Sequence, residues 1–417
     1  MKNFKRALSV LLASAMVVSL TACGSESYTV TPEDGSEVNF HTALQQAFLS
    51  DPYVDGEIGT PEYIEIDGEK CYIDGNPYTS KDLDERERTH IDYSRPDPIT
   101  LTWDGKSGKT YYVEISKDLD FAEIDRSLTT EETSVDVYNL EIGTTYYWRV
   151  SAKESKLADA EVHNFATSSE GPRNIYIDGV TNVRDIGGYE LADGSGKIRQ
   201  GLVYRGGRLN VSNADDEYVL FQDDEDYFQL TITEAGIDTM VNELGIKSEV
   251  DIRSNQNNEP GNMNDDRIEG LTYIHYPMDY YGGEATDNNF TRLDNPQSIK
   301  AFFELLADED NYPVYFHCNI GTDRTGCLAY LLGALLGMDE EDLYTNYVFS
   351  NFGSIAGSVN ASGRQISSLT SETGYATTVL SYPGDTLSEK TRNALKDICG
   401  LSDETLDKVC EIMIEKY

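Results

Sequence analysis

The run His317, Cys318, Asn319, Ile320, Gly321, Thr322, Asp323, Arg324, Thr325, Gly326 places a cysteine six positions before an arginine. The chemistry open to such a pair is attack by a thiolate on phosphorus. Pro313 to Phe316 reads as a short buried strand, and Arg324 to Leu336 as a helix rich in Leu and Ala, stopped by Gly337. The loop between them therefore lies at a helix N-terminus, where unpaired amides and the helix dipole suit a dianion such as phosphate. Gly321 and Gly326 are expected to let backbone approach the ligand closely. An ordinary thiol, with a pKa of about 8.5, is mostly protonated at neutral pH, whereas helix N-termini and nearby cations lower it to roughly 3.5 to 7.5. Cys318 is thus expected to be a thiolate. Arg324 can grip two phosphate oxygens at once and offset the charge that builds on them in the transition state. Lysine has no such fork.

These residues resemble the phosphate-binding loop of the protein tyrosine phosphatase superfamily, His-Cys-x5-Arg followed by Ser or Thr. The ending Asp-Arg-Thr-Gly, together with Asn182 to Tyr189 (NVRDIGGY) and Val250 to Ser254 (VDIRS), is similar to the bacterial tyrosine phosphatase branch that also acts on lipid phosphates. The resemblance covers about Arg173 to Tyr417. It implies that Cys318 attacks phosphorus to form a cysteinyl-phosphate that water then hydrolyses, two easier steps replacing one, with no metal and no cofactor. It implies that Arg324 binds the phosphate together with Asn319, Ile320, Gly321, Thr322 and Asp323. Thr325 would donate its hydroxyl to the thiolate and ease its departure, and His317 would bond backbone and hold the loop in shape. Asp323 would orient Arg324 or take part in proton transfer.

The leaving oxygen also needs a proton, and a positioned acid is worth about a hundredfold to ten-thousandfold. Asp279 is the candidate, because it follows the strand-like Tyr273 to Pro277 and opens a loop, Tyr280 to Gly283, with paired glycines. Asp323 is the second choice. Thr322 stands where relatives that handle phosphoinositides tend to carry Lys, which favours phosphotyrosine or another monophosphate ester. An inositol phosphate or phosphoinositide phosphatase is the alternative. A surface binding protein with a vestigial phosphatase domain is the third reading, and intact Cys318, Arg324 and Thr325 speak against it. Arg184, Asp185, Arg205, Arg208 and Arg253 lie in the family-like segments and are candidates to line the pocket, though structural ion pairs inside the domain are the expectation for each, and Arg253 is singled out as a partner behind the pocket.

The elements that must position this loop alternate strands with helices, which predicts an α/β domain over 173–417, a central sheet flanked by helices with the loop at a strand's C-terminal end. Helices are expected over Pro296 to Ala307 and Glu340 to Ser350. Thr386 with Glu389 reads as a capping box for a helix through Cys399, and Leu401 to Tyr417 as one more helix. A dense acidic run at about 210–229 reads as a surface insertion, and its spacing does not follow an EF-hand loop. Before this domain, Ile99 to Trp103, Tyr111 to Ser116, Ser134 to Val137, Thr145 to Ala152 and His163 to Thr167 are strand candidates at sandwich-like spacing. Leu140, Gly143, Thr144, Tyr146, Trp148, Arg149 and Val150 resemble the fibronectin type III pattern. That implies an all-β sandwich over 92–169 with Trp103 and Trp148 in its core, serving as a spacer or contact module. Residues 23–91 form an acidic segment in which Tyr63 to Ile66 and Lys70 to Ile73 alternate around Asp67-Gly68 as a hairpin; an accessory segment or stalk is expected.

At the start of the chain, Lys2, Lys5 and Arg6 precede an apolar stretch, Ala7 to Leu20, and then Leu20, Thr21, Ala22, Cys23 and Gly24. This resembles a bacterial lipoprotein signal over 1–22 with its lipobox, which implies lipidation of Cys23. The apolar stretch is short for a membrane span of ~20 residues. Attachment through a lipid, outside the cytoplasmic membrane, is expected. Cys71, Cys318, Cys327, Cys399 and Cys410 remain, an odd number that argues against a full disulfide framework and for free thiols. The 417 residues have room for two or three domains. A formal charge of -41 favours solubility and disfavours nucleic acid or anionic surfaces as partners. A phosphorylated protein or small phosphoester is the expected substrate, bound by local amides and Arg324, since global repulsion is screened over ~8 Å at physiological salt.

Overall fold

The computed structural model describes residues 27–49, 64–66, 69–71, 94–209, 232–254, 268–278, 295–353, 367–371 and 374–417. They divide into two compact units: the described residues within Met1–Ser36, Thr100–Val135 and Thr145–Phe165, and those within Glu37–Ile99, Asp136–Thr144 and Ala166–Tyr417. This differs from the expected boundaries. Residues 136–144, read with the sandwich, group with the second unit because Arg173 Nε donates to the Leu140 carbonyl at 3.0 Å and the Asn139 side chain accepts from Tyr176 N at 2.7 Å. Residues 37–49, read as part of a separate segment, also belong there. Cys23 and the acidic run at 210–229 lie outside the described residues.

In chain order the first ten strands are β1 (Val30–Thr31), β2 (Ser36–Val38), β3 (Ile64–Ile66), β4 (Glu69–Cys71), β5 (Ile99–Trp103), β6 (Tyr111–Ser116), β7 (Arg126–Thr130), β8 (Ser134–Val137), β9 (Thr145–Ser151) and β10 (Val162–Thr167), with helix α1 (Ala43–Leu49) after β2. β3 and β4 pair antiparallel with Ile64 opposite Cys71, the hairpin read from the sequence. Two sheets follow the orders β1-β5-β8 and β2-β10-β9-β6-β7. Inward residues alternate along the strands, and Leu101, Trp103, Tyr111, Val113, Ile115, Trp148 and Phe165 are buried. β7 was not expected. It closes one edge of its sheet, and an edge strand can be as polar as Arg-Ser-Leu-Thr-Thr, which carries no clear apolar alternation.

The second unit continues with β11 (Arg184–Asp185), β12 (Gly196–Ile198), β13 (Val203–Gly206), α2 (Glu234–Asp238, running into a π-helical turn to Glu243), β14 (Ser248–Asp251), β15 (Thr272–His275), α3 (Pro296–Leu306), β16 (Val314–His317), α4 (Arg324–Leu336) and α5 (Glu340–Val348). A 3-10 turn, Phe349–Phe352, precedes α6 (Ser367–Thr370), α7 (Tyr375–Leu380), α8 (Leu387–Cys399), α9 (Asp403–Met413) and β17 (Ile414–Lys416). The central sheet has the order β11-β13-β16-β14-β15. β13, β16, β14 and β15 run parallel, and β11 is the antiparallel edge. Both faces are covered, as parallel sheets require. Val314 and Phe316 point into the larger core with α3, α4 and α7 to α9, while Tyr204 and Tyr315 point into a smaller one with Met240 and Leu244. This is the expected α/β architecture.

Every residue of α4 is buried, which fits a sequence apolar on all sides. Its C-cap Gly337 has φ 91°, the left-handed stop read from the sequence. The Thr386–Glu389 capping box forms. The last expected helix is shorter than predicted: α9 ends at Met413, and residues 414–416 pair antiparallel with β12. A partner strand more than two hundred residues away in sequence redirects that segment, and local pattern carries no sign of it. Among the described residues no helix is long and apolar enough to cross a membrane.

Candidate active site

The loop from Cys318 to Asp323 leaves the C-terminal end of β16 and enters α4, with Cys318 1 % exposed. Three consecutive carbonyls of this loop are held from outside. The Asn319 oxygen accepts from Arg208 N at 3.1 Å, the Ile320 oxygen from Asn182 Nδ2 at 3.0 Å, and the Gly321 oxygen from Arg205 Nη2. In a planar trans peptide the N–H points opposite to the C=O. The N–H groups of Ile320, Gly321 and Thr322 are thereby turned to the other side, away from those three donors. Arg324 begins α4 and donates from Nη1 to the Met278 carbonyl at 3.2 Å.

Glycine acts here differently from the expectation. Gly321 has φ 71°, and a Cβ on it would lie 2.3 Å from Gly206 O and 2.8 Å from Gly207 N, so its hydrogen makes room for protein backbone. At Gly326 a Cβ would meet the Tyr347 ring at 2.8 Å. Gly206, the last residue of β13, and Gly207 after it are therefore the floor against which the loop is pressed.

Two guanidinium groups stand behind that floor, both fully buried. Arg205 Nη1 donates to Asn346 Oδ1 at 2.9 Å, and its Nη2 also reaches Ser350 Oγ at 3.2 Å. Arg184 donates to Asn182 Oδ1, to the Asn346 carbonyl at 3.0 Å and to Ser350 Oγ at 2.9 Å. Among the described residues neither has a carboxylate partner, and the ion pairs expected for them do not form; a neutral polar set on α5 and the turn after it takes that place. Burial lowers the pKa of Arg205 to about 10, against the raising influence of Cys318 and nearby tyrosines. Burial and then the charge of Arg205 push Arg184 well down. Asp185 does pair, with Arg173 at 2.7 Å. Burial raises its pKa nonetheless. Arg208 reaches the Asn319 side chain.

His317 bonds the Cys318 carbonyl through Nδ1 at 2.9 Å and Glu249 Oε1 through Nε2 at 3.0 Å. Two residues along β14, Asp251 binds Arg253 at 2.6 Å and accepts from Tyr273 OH at 3.0 Å. Burial opposes ionisation of Asp251, but the charges of His317 and Arg253 outweigh it and hold the carboxyl well below its usual range. The 1:1 register of β14 with β16 and β15 puts Glu249, Asp251, His317, Tyr315, Tyr273 and His275 on one face.

Of the residues named from the sequence, His317, Cys318, Asn319, Ile320, Gly321, Thr322, Asp323, Arg324 and Thr325 thus form one contiguous loop and helix start. Thr322, Asp323 and Thr325 are buried, and Thr325 Oγ1 has no hydrogen-bond partner among the described residues. Asp279 lies outside the described residues; Met278, the residue before it in sequence, is the one that Arg324 holds. Cys318, Cys327, Cys399 and Cys410 are free thiols. Burial, then the charges of Asp323 and Cys318, push the Cys327 thiol well up. Sequence reading missed Asn182, Glu249, Asn346 and Ser350. Asn182 adopts φ 62°, a conformation asparagine tolerates, at the head of the NVRD motif. Glu249 could have been marked as one of two acids in the short strand Ser-Glu-Val-Asp. Asn346 and Ser350, polar residues on a short helix and turn, carried no such mark.

The model of a family described as "Tyrosine phosphatase family" matches residues 175–222 and 229–417, more than half of the chain. A protein of Cupriavidus necator named "Putative tyrosine-protein phosphatase" is 29% identical over 210 residues, 45% of this chain and 66% of that relative, so the chain spans just under two thirds of its length. Two solved structures of the Siw14 catalytic core, one described as a PP-IP phosphatase from S. cerevisiae, match 29% of the chain at 17% and 15% identity. They are covered to 67% and 73%, each with a TM-score of 0.22, too slight a likeness to argue from. On the family match, which contains every residue of the loop and of its floor, the chain belongs to the tyrosine phosphatase family.

Proposed function

We propose that this protein hydrolyses phosphate monoesters, protein phosphotyrosine foremost, through a cysteinyl-phosphate. The observation that carries the reading is the loop whose carbonyls from Asn319 to Gly321 are held by Arg208, Asn182 and Arg205, which turns the N–H groups of Ile320, Gly321 and Thr322 the opposite way at the start of a fully buried helix. The Cys318 thiolate attacks phosphorus, the P–O ester bond breaks, and the leaving oxygen takes a proton from a carboxylic acid. Asp279 is the first candidate for that acid, because the carbonyl one residue before it is bound to Arg324; Asp323 is the second. Water then attacks phosphorus, passing a proton to the carboxylate left by that acid; the S–P bond breaks, the thiolate is restored and inorganic phosphate leaves. Thr325, with its hydroxyl uncommitted, stabilises the departing sulfur. Arg324 and the loop amides hold the phosphoryl oxygens throughout. His317 fixes the loop at its entry. Arg205, buried at a cost of several kcal/mol without a carboxylate partner among the described residues, gains counter-charge from the Cys318 thiolate.

Thr322, in place of a second loop cation, supports a single-phosphate substrate. The test is a panel of phosphotyrosine peptide, phosphoinositide and inositol polyphosphate, run with wild type and Cys318→Ser. Turnover led by phosphotyrosine and abolished by Cys318→Ser is expected. Preference for inositol or lipid phosphates would replace the substrate, and a wild type inert on every phosphoester would end the reading. The signal-like residues 1–22 and Cys23 support export and lipid anchoring; unmodified Cys23 on the mature protein by mass spectrometry would remove both. The sheet orders β1-β5-β8 and β2-β10-β9-β6-β7, with Trp103 and Trp148 buried, support a fibronectin type III-like module ahead of the enzyme.

A further inference from the structure

The family match begins at residue 175, yet residues 37–49, which include α1, belong to the second unit. His41 Nε2 donates to the Pro172 carbonyl at 2.9 Å, across 131 residues of sequence. Gln45, fully buried, donates to the Arg95 carbonyl at 3.0 Å and accepts from Asn174 Nδ2 at 3.2 Å. A helix of seven residues has no stability of its own, so these contacts and the packing of Phe48 are what order it.

Phe48 is 4% exposed, and its ring meets Phe349 at 5.9 Å and Phe352 at 5.4 Å, edge to face in both cases. The His41 ring stands 6.4 Å from Phe349. The turn that receives these rings also supports the phosphate loop. The Arg184 guanidinium lies 5.5 Å from the centre of the Phe349 ring, and Ser350 accepts from both Arg184 and Arg205. Arg205 in turn holds the Gly321 carbonyl. An unbroken series of contacts therefore joins Phe48 to the backbone of the loop.

We propose that Phe48, seated with His41, is a positioning residue for the phosphate loop. The segment upstream of the family domain is then a brace of the site, setting the Phe349–Phe352 turn and, through Ser350 and Arg205, the direction of the Gly321 carbonyl. This rests on the reading of the loop as phosphate-binding and adds to it a part of the chain that the family match does not include. Aromatic edge contacts transmit position because a packed ring has few alternative placements, and a loop that must aim several amides loses much of its effect from a small displacement.

The test uses the mature full chain with Phe48→Ala, Phe48→Leu and, as a control for lost core volume off this path, Val409→Ala in α9. Each is compared with wild type for kcat and KM on p-nitrophenyl phosphate and for affinity of inorganic phosphate by calorimetry, at a temperature where circular dichroism shows it folded. Phe48→Ala is expected to lower kcat/KM about tenfold and to weaken phosphate binding, with Phe48→Leu about threefold lower and Val409→Ala within about twofold of wild type. Folded Phe48→Ala or Phe48→Leu with wild-type kinetics and phosphate affinity overturns the proposal. So does a loss in Val409→Ala equal to that in Phe48→Ala. If wild type turns over no ester, the catalytic reading fails while the phosphate-affinity comparison still decides the brace.

Discussion

At Gly321 the chain has room for a hydrogen and nothing larger. The left-handed backbone there costs a residue with a Cβ about 1–2 kcal/mol, and the overlap with Gly206 and Gly207 adds to it. Gly321→Ala is expected to lower kcat/KM by at least about tenfold, the equivalent of roughly 1.4 kcal/mol, because the loop must move off its floor and carry its amides with it. Steady-state kinetics on a protein that circular dichroism shows to be folded would measure this, and near-wild-type kcat/KM would refute the account of the floor. The sequence marked Gly321 as permissive; it could not say whether ligand or protein came close. The same holds for Arg184 and Arg205. Their charge pointed to ion pairs, whereas the partners turned out to be Asn346 and Ser350, whose spacing on α5 and the turn after it carries no signature.

Strand register decides which groups share a face. β14 places Glu249 beside Tyr315 and Asp251 beside His317, and it clamps its own end through Arg253 and Tyr273. Because the folded Asp251 carboxyl titrates below its ordinary range, its contribution to stability is fully present above the unfolded value of about 4 and is lost as pH falls through that range and below. Asp251→Asn removes the carboxylate that faces the buried Arg253 guanidinium and is expected to cost about 3 kcal/mol at neutral pH, less than this in acid. Urea denaturation of both proteins at neutral and acidic pH would show it; an equal cost at every pH would mean that the charge is not what stabilises this strand end. The apolar character of β16 and α4 was legible because burial on all sides leaves an uninterrupted apolar run. β7 and β17 were not legible, since an edge strand and a short terminal strand are defined by their neighbours.

Over the whole molecule, 74 acidic and 33 basic residues create a field that opposes every anionic substrate. Salt screens that field beyond ~8 Å but leaves contacts inside the loop nearly unchanged. For a phosphotyrosine peptide, kcat/KM is therefore expected to rise about twofold or more as salt goes from low to physiological, with kcat little altered. A steady fall in kcat/KM over the same range would show that long-range attraction, and not the loop alone, gathers the substrate.

The sequence alone determined the loop from Cys318 to Asp323, the helix it opens and the α/β class of the domain that holds it. These depend on local spacing, on runs of apolar residues and on a capping box, all of which are written in consecutive residues. Only the tertiary structure decided what stands behind the loop: Asn182, Gly206 and Gly207, Arg205, Ser350 and, from far upstream, Phe48. These residues lie far apart in the chain, and their effect arises from being pressed together in a water-poor core, where each carbonyl and guanidinium must find a partner whatever its distance in sequence.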